Sequence, residues 1–272
     1  MWEIYVRFLP SPGRLCFKSL MAKPAILVTG GAKRIGALIC RAFAHAGWHV
    51  VIHYGTSRDQ AERLAADLPS AETVSCDLAD AAAAEAMIGA LAPRLDNWRM
   101  LVNSAAVFRY DDTRDIDGTV MAEAIAVNAA TPARITSAFL AQARSDCGRR
   151  VVDFLDQKLR NINPDFFSYT MAKAALKAAM RMQAMTLSDP RDRIYGIAPG
   201  AMMASFDQAA EEHEISGRMN LLARLNHPQE LAEATLFLAQ GWVASGTVLY
   251  IDSGQHLMRQ PRDVLYLARG LA

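Results

Sequence analysis

The sequence predicts an α/β fold, in which about seven parallel strands form one doubly wound sheet with helices on both faces. Short apolar segments alternate with helical segments from residue 24 to residue 252. These apolar segments lack the apolar–polar alternation of a half-exposed sheet, which indicates strands that are buried on both faces. Regular alternation of strand and helix favours parallel strands joined by right-handed crossovers.

The strands are predicted from apolar runs. The first run, P-A-I-L-V-T, ends in glycines, and the second reads W-H-V-V-I-H-Y. The predicted strands cover residues 24–29, 48–54, 74–76, 100–103, 151–155, 193–198 and 247–252.

The helices are predicted between these runs. Gly47 stops the first helix and Pro228 opens the last one, and the third, fourth and fifth are rich in alanine. The predicted helices cover residues 36–46, 57–68, 79–92, 118–144, 166–188 and 228–240.

Composition and charge restrict the class of protein. A hydrophobic content of 52% over 272 residues allows a large core, and a net charge of +1 argues against a broad nucleic-acid surface. No apolar run approaches the ~18 residues of a membrane span. We expect residues 1–21 to be a poorly ordered extension and residues 22–272 to form one cytoplasmic domain.

A glycine-rich turn predicts a dinucleotide site. The segment T-G-G-A-K-R-I-G at residues 29–36 follows the first strand and opens the first helix. Glycines let the backbone approach a pyrophosphate, and a helix N-terminus offers unpaired N–H groups. Ligands of such sheets bind beyond the carboxyl ends of the strands, where Asn103, Asp156 and Pro199 are expected.

The end of the second strand favours NADP over NAD. NAD-binding proteins of this architecture usually place an acid there to hold the ribose 2′-hydroxyl, whereas this chain reads H-Y-G-T-S-R. Side chains that can donate to a 2′-phosphate stand nearby instead: His53, Ser57, Arg58 and Arg34. Asp77 is interpreted either as an acceptor for the adenine amino group or as the N-cap of the next helix.

Five motifs, in this order, resemble the short-chain dehydrogenases/reductases over about residues 22–258. They are T-G-x-x-x-x-x-G at 29–36, N-S-A-A at 103–106, Asn128, Y-x-x-x-K at 169–173 and P-G at 199–200. The resemblance implies a Rossmann-type fold, NADPH-dependent reduction and a homotetramer built on a four-helix interface. The cofactor-binding residues that we predict are Gly30, Arg34, Ile35, Gly36, His53, Tyr54, Ser57, Arg58, Asp77, Leu78, Asn103, Ala105, Pro199 and Gly200.

Within that family the chain is similar to the pteridine reductases and dihydromonapterin reductases. A-K-R-I-G at 32–36, H-Y-x-x-S at 53–57, Phe108 soon after the N-S-A-A motif, and Asp156 ahead of Y-T-M-A-K carry this similarity. It implies that Phe108 stacks on a pterin, that Asp156 and Tyr169 deliver protons, and that the arginine and the serine of the first two motifs contact cofactor phosphate or substrate. The substrate-binding residues that we predict are Phe108, Arg34 and Met202.

The predicted catalytic residues are Asp156, Tyr169, Lys173 and Asn128. Tyr169 and Lys173 share a helix face at i and i+4. An ammonium and a cationic nicotinamide near Tyr169 are expected to lower its pKa from ~10 to about 7. The resemblance implies that Asn128 bends its helix and holds a water that links Lys173 to solvent.

Asp156 stands where most members of the family carry a serine. A serine hydroxyl can donate to a ketone oxygen, whereas an ionised carboxylate only accepts. Asp156 therefore favours reduction of a C=N bond in a ring with N–H donors, and Asp153 is interpreted as structural. The alternatives are a carbonyl reductase acting on a 3-oxoacyl thioester or a sugar, and a non-catalytic NADP-binding module.

Residues 201–227 are too long for a plain connection and predict a substrate lid, in which Met202 offers an adaptable apolar contact. The E-E-H-E run at 211–214 is interpreted as a solvated helical face, and no metal site is expected. The expected partners are a small-molecule substrate and further copies of the same chain.

Overall fold

A computed structural model describes residues 22–205 and 208–270. Its seven strands form one sheet in the order β3-β2-β1-β4-β5-β6-β7, and each neighbouring pair is parallel. The strands are β1 Ala25–Thr29, β2 His49–Tyr54, β3 Ala71–Ser75, β4 Trp98–Asn103, β5 Arg150–Phe154, β6 Arg193–Pro199 and β7 Val248–Ile251. The predicted fold class is confirmed, and the extension predicted for residues 1–21 lies outside the described residues.

Helices follow the strands as predicted and cover both faces of the sheet. They are α1 Arg34–His45, α2 Arg58–Asp67, α3 Ala81–Leu91, α4 Gly118–Ile125, α5 Thr131–Gln142, α6 Phe167–Met185, α7 Ala210–Gly217, α8 Pro228–Ala239 and α9 Val264–Ala268. Among the described residues, none of the helices is long and apolar enough to cross a membrane.

Two apolar layers sandwich the sheet, because successive strand residues point to opposite faces. Leu27 of β1 packs with Ile88, Phe139 and Leu176 from α3, α5 and α6. Val28, the next residue along β1, belongs to the opposite layer, which is built on α1, α2 and α8. Burial on both faces explains why the strands read as unbroken apolar runs.

The order of the strands reverses between β1 and β4, and this reversal opens a crevice beyond their carboxyl ends. The side chain of Thr29 joins the two strand ends. Its hydroxyl accepts from the N–H groups of Ser104 and Ala105 at 3.0 and 3.1 Å and donates to the carbonyl of Val102 at 3.3 Å. The glycine turn and the loop after β4 are therefore held side by side at the crevice.

The long helix predicted over residues 118–144 is interrupted. Residues Ala126–Ala130 form one π-helical turn between α4 and α5, and Asn128 lies at its centre. Single π-helical turns inside α-helices frequently mark functional sites, because the extra residue redirects side chains.

α7 lies in the segment expected to be a lid and contains the E-E-H-E run that was interpreted as a helical face. α9, which the sequence did not predict, follows β7 near the end of the described chain. The side chain of Arg269 joins these regions by donating to the two carboxylate oxygens of Glu212 in α7, at 2.9 and 3.0 Å.

Candidate active site

A cavity of about 440 Å³ lies beyond the carboxyl ends of the central strands. Its walls come from the glycine turn, the loop after β4, the end of β5, the first turns of α6, the segment after β6 and the segment around α9. The lining includes Gly30, Arg34, Ile35, Gly36, Ala105, Phe108, Asp156, Lys158, Tyr169, Lys173, Pro199, Gly200, Met202, Asp263, Val264 and Leu265. Predicted cofactor, substrate and proton-transfer residues therefore meet in one cleft.

Close backbone packing explains the glycines of the turn. Gly30 has a φ of +64°, which glycine adopts without strain, and a Cβ there would lie 3.0 Å from the Cα of Ala105. A Cβ on Gly36 would lie 2.2 Å from the carbonyl oxygen of Gly30. The turn thus presents backbone N–H groups and the start of α1 to the cleft, as a diphosphate group requires.

His53 does not face a 2′-phosphate, and this part of the sequence prediction is wrong. The side chain is buried, its Nδ1 accepts from the Gly30 N–H at 3.1 Å, and its Nε2 lies 3.1 Å from the carbonyl oxygen of Cys76. Since a carbonyl oxygen only accepts, Nε2 carries the proton. Burial lowers the pKa of His53 to about 4, so the neutral ring holds the glycine turn in place.

The other residues predicted to bind the adenosine end of NADP differ in how accessible their side chains are. The Arg58 side chain is exposed and donates to the Tyr54 hydroxyl at 3.3 Å. Ser57 precedes α2 at the end of β2. Asp77 accepts from the Ala79 N–H at 2.9 Å, and Leu78 is buried in the core. Tyr54 is buried as well, so Ser57 and Arg58 remain the accessible donors of this group.

Asn103 is also placed differently from the prediction. It is buried, and its side-chain amide donates to Thr136 at 3.1 Å and to Asp153 at 2.7 Å. Asn103 pairs with Asp153 in the register of β4 and β5, which directs both side chains into the helical layer. Its contacts with Thr136 and Asp153 therefore give Asn103 a place in the core between strands, away from the lining of the cleft.

Tyr169 and Asp156 form the centre of the cleft. The tyrosine hydroxyl donates to the Asp156 Oδ2 at 3.1 Å, and the Asp156 Oδ1 accepts from the Lys158 N–H at 2.7 Å. The N-terminus of α6, which carries Tyr169, is held by Asp111, whose carboxylate accepts from the Ser168 N–H at 3.0 Å. The acid and the phenol are therefore fixed by their neighbours on both sides.

Burial raises the pKa of both members of this pair. The Asp156 carboxylate further raises the pKa of Tyr169, well above 10. The fall of this pKa to about 7 was expected with a cationic nicotinamide nearby, and it stays a prediction. The raised pKa keeps the proton on the phenol at neutral pH, in a hydrogen bond to Asp156.

Lys173 is buried one helical turn from Tyr169. Its ammonium donates to the carbonyl of Phe154 at 2.6 Å and lies 5.7 Å from the centroid of the Tyr169 ring. Burial lowers the pKa of Lys173 to about 8, while Asp156 and Asp153 oppose that shift. The lysine charge thus lies behind the phenol, toward the end of β5.

Asn128 supports the loop that carries Phe108. Its carbonyl accepts from the Val107 N–H and its amide donates to the Val107 carbonyl, both at 2.8 Å. These two bonds pin the loop next to the π-helical turn. The role of Asn128 in holding a water beside Lys173 stays a prediction.

Phe108 lies in the cleft as part of an aromatic cluster. Its ring stacks on Phe166 with centroids 4.1 Å apart and meets Tyr169 edge-on at 4.8 Å. Tyr110 and Tyr266 extend the cluster through Phe166, at 5.5 and 6.0 Å. One face of Phe108 is thus covered by Phe166, a residue that no sequence motif marks.

Phe166 has a left-handed backbone with a φ of +52°, which costs a non-glycine residue roughly 1–2 kcal/mol. Arg34, at the start of α1, shows the same φ, and its guanidinium donates to the Ala204 carbonyl at 3.0 Å. Such strained residues cluster at functional sites, where the surrounding structure holds them. Arg34 thereby links the glycine turn to the segment after β6.

Several lining residues were missed because no motif marks them. Lys158, Asp263, Val264 and Leu265 enter the cleft through long-range contacts that no local pattern reveals. Among the described residues, no group of three or more His, Cys, Asp or Glu side chains could hold a metal ion.

Comparisons with known proteins agree with this geometry. Residues 30–256 match the family model described as "Enoyl-(Acyl carrier protein) reductase". The chain is 27% identical to pteridine reductase 1 of Leishmania tarentolae over 87% of this chain and 97% of the relative. It is 26% identical to a putative ketoacyl reductase of the granaticin polyketide synthase of Streptomyces violaceoruber, over 86% and 97%.

A solved structure is similar as well. FolM alternative dihydrofolate reductase 1 from Brucella canis, complexed with NADP, superposes with a TM-score of 0.82 and 31% identity, over 89% of this chain and 97% of that one. The family match, the sheet order and the cleft agree with one another. The chain belongs to the short-chain dehydrogenase/reductase family of oxidoreductases.

Proposed function

We propose that this oxidoreductase uses NADPH to reduce a C=N bond of a pterin-like ring. The observation that carries the proposal is the hydrogen bond between Asp156 and Tyr169 in the cleft. A carboxylate at this position accepts N–H donors of a nitrogen heterocycle, and it opposes the negative charge that develops on a ketone oxygen.

Residues of the cleft fit the cofactor. The glycine turn and the N-terminus of α1 would bind the diphosphate, and Arg34, Ser57 and Arg58 would donate to the 2′-phosphate. No acid stands at the end of β2 to repel that phosphate or to select a 2′-hydroxyl. The NADP complex of the similar Brucella protein supports the same cofactor.

The chemistry divides between cofactor and protein. Bound NADPH supplies a hydride to the carbon of the C=N bond. Tyr169 would donate its hydroxyl proton to the ring nitrogen, and a proton from solvent, passed on through Asp156, would replace it. Lys173 lies behind the phenol and stabilises negative charge on it while the proton is in transfer. The C=N bond becomes a CH–NH unit, and one proton from solvent is consumed.

Reduction of a ketone is the second candidate, and the granaticin ketoacyl reductase among the relatives favours it. In that case Tyr169 would protonate an alkoxide, and Asp156 would have to be protonated when the substrate binds. Because Tyr169 and Lys173 both line the cleft, a reaction is favoured over a non-catalytic binding role.

Turnover assays with NADPH separate the two candidates. We expect consumption of NADPH with a 7,8-dihydropterin and little with 3-oxoacyl thioesters or sugars. Asp156→Ser should lower the kcat with the pterin at least tenfold more than that with any ketone, since a hydroxyl suits a ketone oxygen. Good ketone turnover without pterin turnover would sink the proposal, and equal losses in Asp156→Ser would make Asp156 a general support.

A further inference from the structure

The segment around α9 forms a wall of the cleft that neither the cofactor nor the proton-transfer pair explains. Asp263, Val264 and Leu265 line the cavity together with Asp156 and Tyr169. Of these three, Asp263 offers a polar group, and its side chain remains 21% exposed. It therefore faces the space in which a substrate would lie.

An ion pair joins the segment around α9 to the segment that precedes α6. The buried Asp165 carboxylate accepts from the guanidinium of Arg262 at 2.9–3.0 Å and from the Asp263 N–H at 2.7 Å. On the other side, Arg269 pairs with Glu212 of α7. A wall held at both ends keeps Asp263 at a defined depth in the cleft.

The Asp263 carboxylate keeps capacity for a ligand. Its Oδ1 accepts from the Leu265 N–H at 3.1 Å, and its Oδ2 accepts from the buried Lys158 ammonium at 3.3 Å. A carboxylate oxygen has two acceptor positions, so each oxygen can accept one further hydrogen bond.

Lys158 donates hydrogen bonds to both carboxylates on this side of the cleft, Asp156 and Asp263. Its backbone N–H bonds to Asp156 and its ammonium bonds to Asp263. Burial is the main cause of the raised pKa of Asp156 and of Tyr169, and the charge of Asp263 adds to it. Two carboxylates against one lysine leave this side of the cleft rich in acceptors, which disfavours carbonyl, carboxylate and phosphate groups on a substrate.

We propose that Asp263 is a substrate-binding residue that selects flat rings with an N–H donor edge, of the aminopyrimidine type. Phe108, which stacks on Phe166, borders the substrate ring, Tyr169 lies at the reacting bond, and Asp263 accepts from the amino group. This inference rests on the proposed function, because it assumes that the ring enters the cleft beside Asp156.

The test is binding of a probe to the full-length enzyme loaded with NADP⁺, measured by calorimetry. The probe is 2,4-diaminopyrimidine, a flat ring with an amidine edge. Asp263→Asn keeps one oxygen as an N-cap for α9, but it replaces the oxygen that accepts from Lys158 by an amide donor. Asp263→Ser, which also caps a helix, is the second variant if the first one melts early.

Asp80→Asn is the matched control. Asp80 caps α3 by accepting from two backbone N–H groups, and it lies on the surface away from the cleft. We expect Asp263→Asn to weaken binding of the probe at least tenfold and to raise the KM for the dihydropterin. The affinity for NADPH and the results for Asp80→Asn should stay as in the wild type.

Two outcomes would overturn the inference. If Asp263→Asn and the wild type bind the probe equally well, Asp263 serves only as a helix cap. If the wild type does not bind the probe, the cleft does not select rings with an N–H donor edge. Neither result depends on turnover. Absence of dihydropterin reduction in a wild type that binds the probe through Asp263 would instead remove the proposed reaction and leave the binding site.

Discussion

The Tyr169 hydroxyl and the Asp156 carboxylate, 3.1 Å apart, determine what this cleft can protonate. A lysine ammonium bonded directly to the phenol would favour the phenolate, a base. Here the ammonium of Lys173 bonds to the Phe154 carbonyl, and burial with Asp156 raises the pKa of the phenol. The residues are thus arranged to donate a proton, which suits reduction.

His53 provides a test of how a residue supports cofactor binding without touching the cofactor. His53→Phe keeps the ring shape but removes the acceptor for the Gly30 N–H and the donor to Cys76. We expect the affinities for NADPH and NADH to fall by the same factor, about tenfold, since one buried hydrogen bond contributes on the order of 1.4 kcal/mol.

Arg34→Ala is expected to change cofactor affinity in a different way from His53→Phe. Loss of a guanidinium that pairs with a 2′-phosphate should weaken NADPH by about 10–100-fold and leave NADH unchanged. Calorimetric titration of both variants with both cofactors measures this. A selective loss of NADPH in His53→Phe would restore the direct contact that the sequence predicted.

The buried Asp153 carboxyl makes the free energy of unfolding depend on pH. Burial raises its pKa from the 3.8 of a free aspartate to about 7, because the bond from Asn103 and the charge of Lys173 offset burial only in part. A raised folded-state pKa means that the contribution of Asp153 to stability is complete below pH 3.8 and is lost as the pH rises through 7. This difference in pKa corresponds to at most about 4 kcal/mol.

Asp153→Asn should therefore stabilise the protein at pH 8, by about 1–3 kcal/mol, and flatten the dependence of stability on pH between 4 and 7. The amide keeps an acceptor for Asn103 and introduces no charge. Denaturant unfolding at several pH values gives the free energies. An Asp153→Asn protein that is less stable than the wild type at pH 8 would contradict this account.

At the scale of elements, the π-helical turn at Ala126–Ala130 positions the loop after β4. Asn128→Ala removes two hydrogen bonds of 2.8 Å and leaves the backbone N–H and carbonyl of Val107 without them. We expect a loss of about 3 kcal/mol in the free energy of unfolding, since each unsatisfied buried group costs roughly 1–3 kcal/mol.

Activity should also fall in Asn128→Ala, because Phe108 follows Val107 into the cleft. Gln142→Ala, at the exposed end of α5, is the control for a change in the same helical region. Chemical denaturation measures stability, and KM for the ring substrate reports the position of Phe108. Unchanged stability in Asn128→Ala would show that Val107 finds other partners.

The strands and most helices could be predicted because their apolar periodicity is a local property of the sequence. The same is true of Tyr169, Lys173 and Asp156, whose spacing along a helix and a strand end brings them together. His53 and Asn103 were misplaced because a donor type does not reveal which neighbour a side chain will meet. The wall around Asp263 depends on contacts such as Asp165 with Arg262, 97 residues apart, and no short pattern encodes them.

At the scale of the whole molecule, exposed apolar residues favour the homotetramer that the family resemblance implies. Met182 and Met185 on α6 are 61% and 85% exposed, and Phe237 and Trp242 near α8 are 45% and 76% exposed. The two surfaces lie on helices from opposite layers of the sheet. A tetramer with dihedral symmetry needs two separate interfaces.

Light scattering should give a mass of four chains for the wild type. Met185→Glu and Trp242→Glu should each reduce it to two chains, because a buried charge without a partner disfavours association. Lys177→Glu, also on α6, controls for added negative charge. A wild type that remains a single chain at micromolar concentration would remove the tetramer from consideration.

The segment around Asp263 is synthesised after the other parts of the cleft. The glycine turn, the proton-transfer pair and six of the seven strands precede residue 200, whereas Asp263 is added more than sixty residues later. Because a domain generally folds as a unit, the cleft is complete only after this late segment has been synthesised. The contact with the amino edge of the substrate is then the last part of the site to be added.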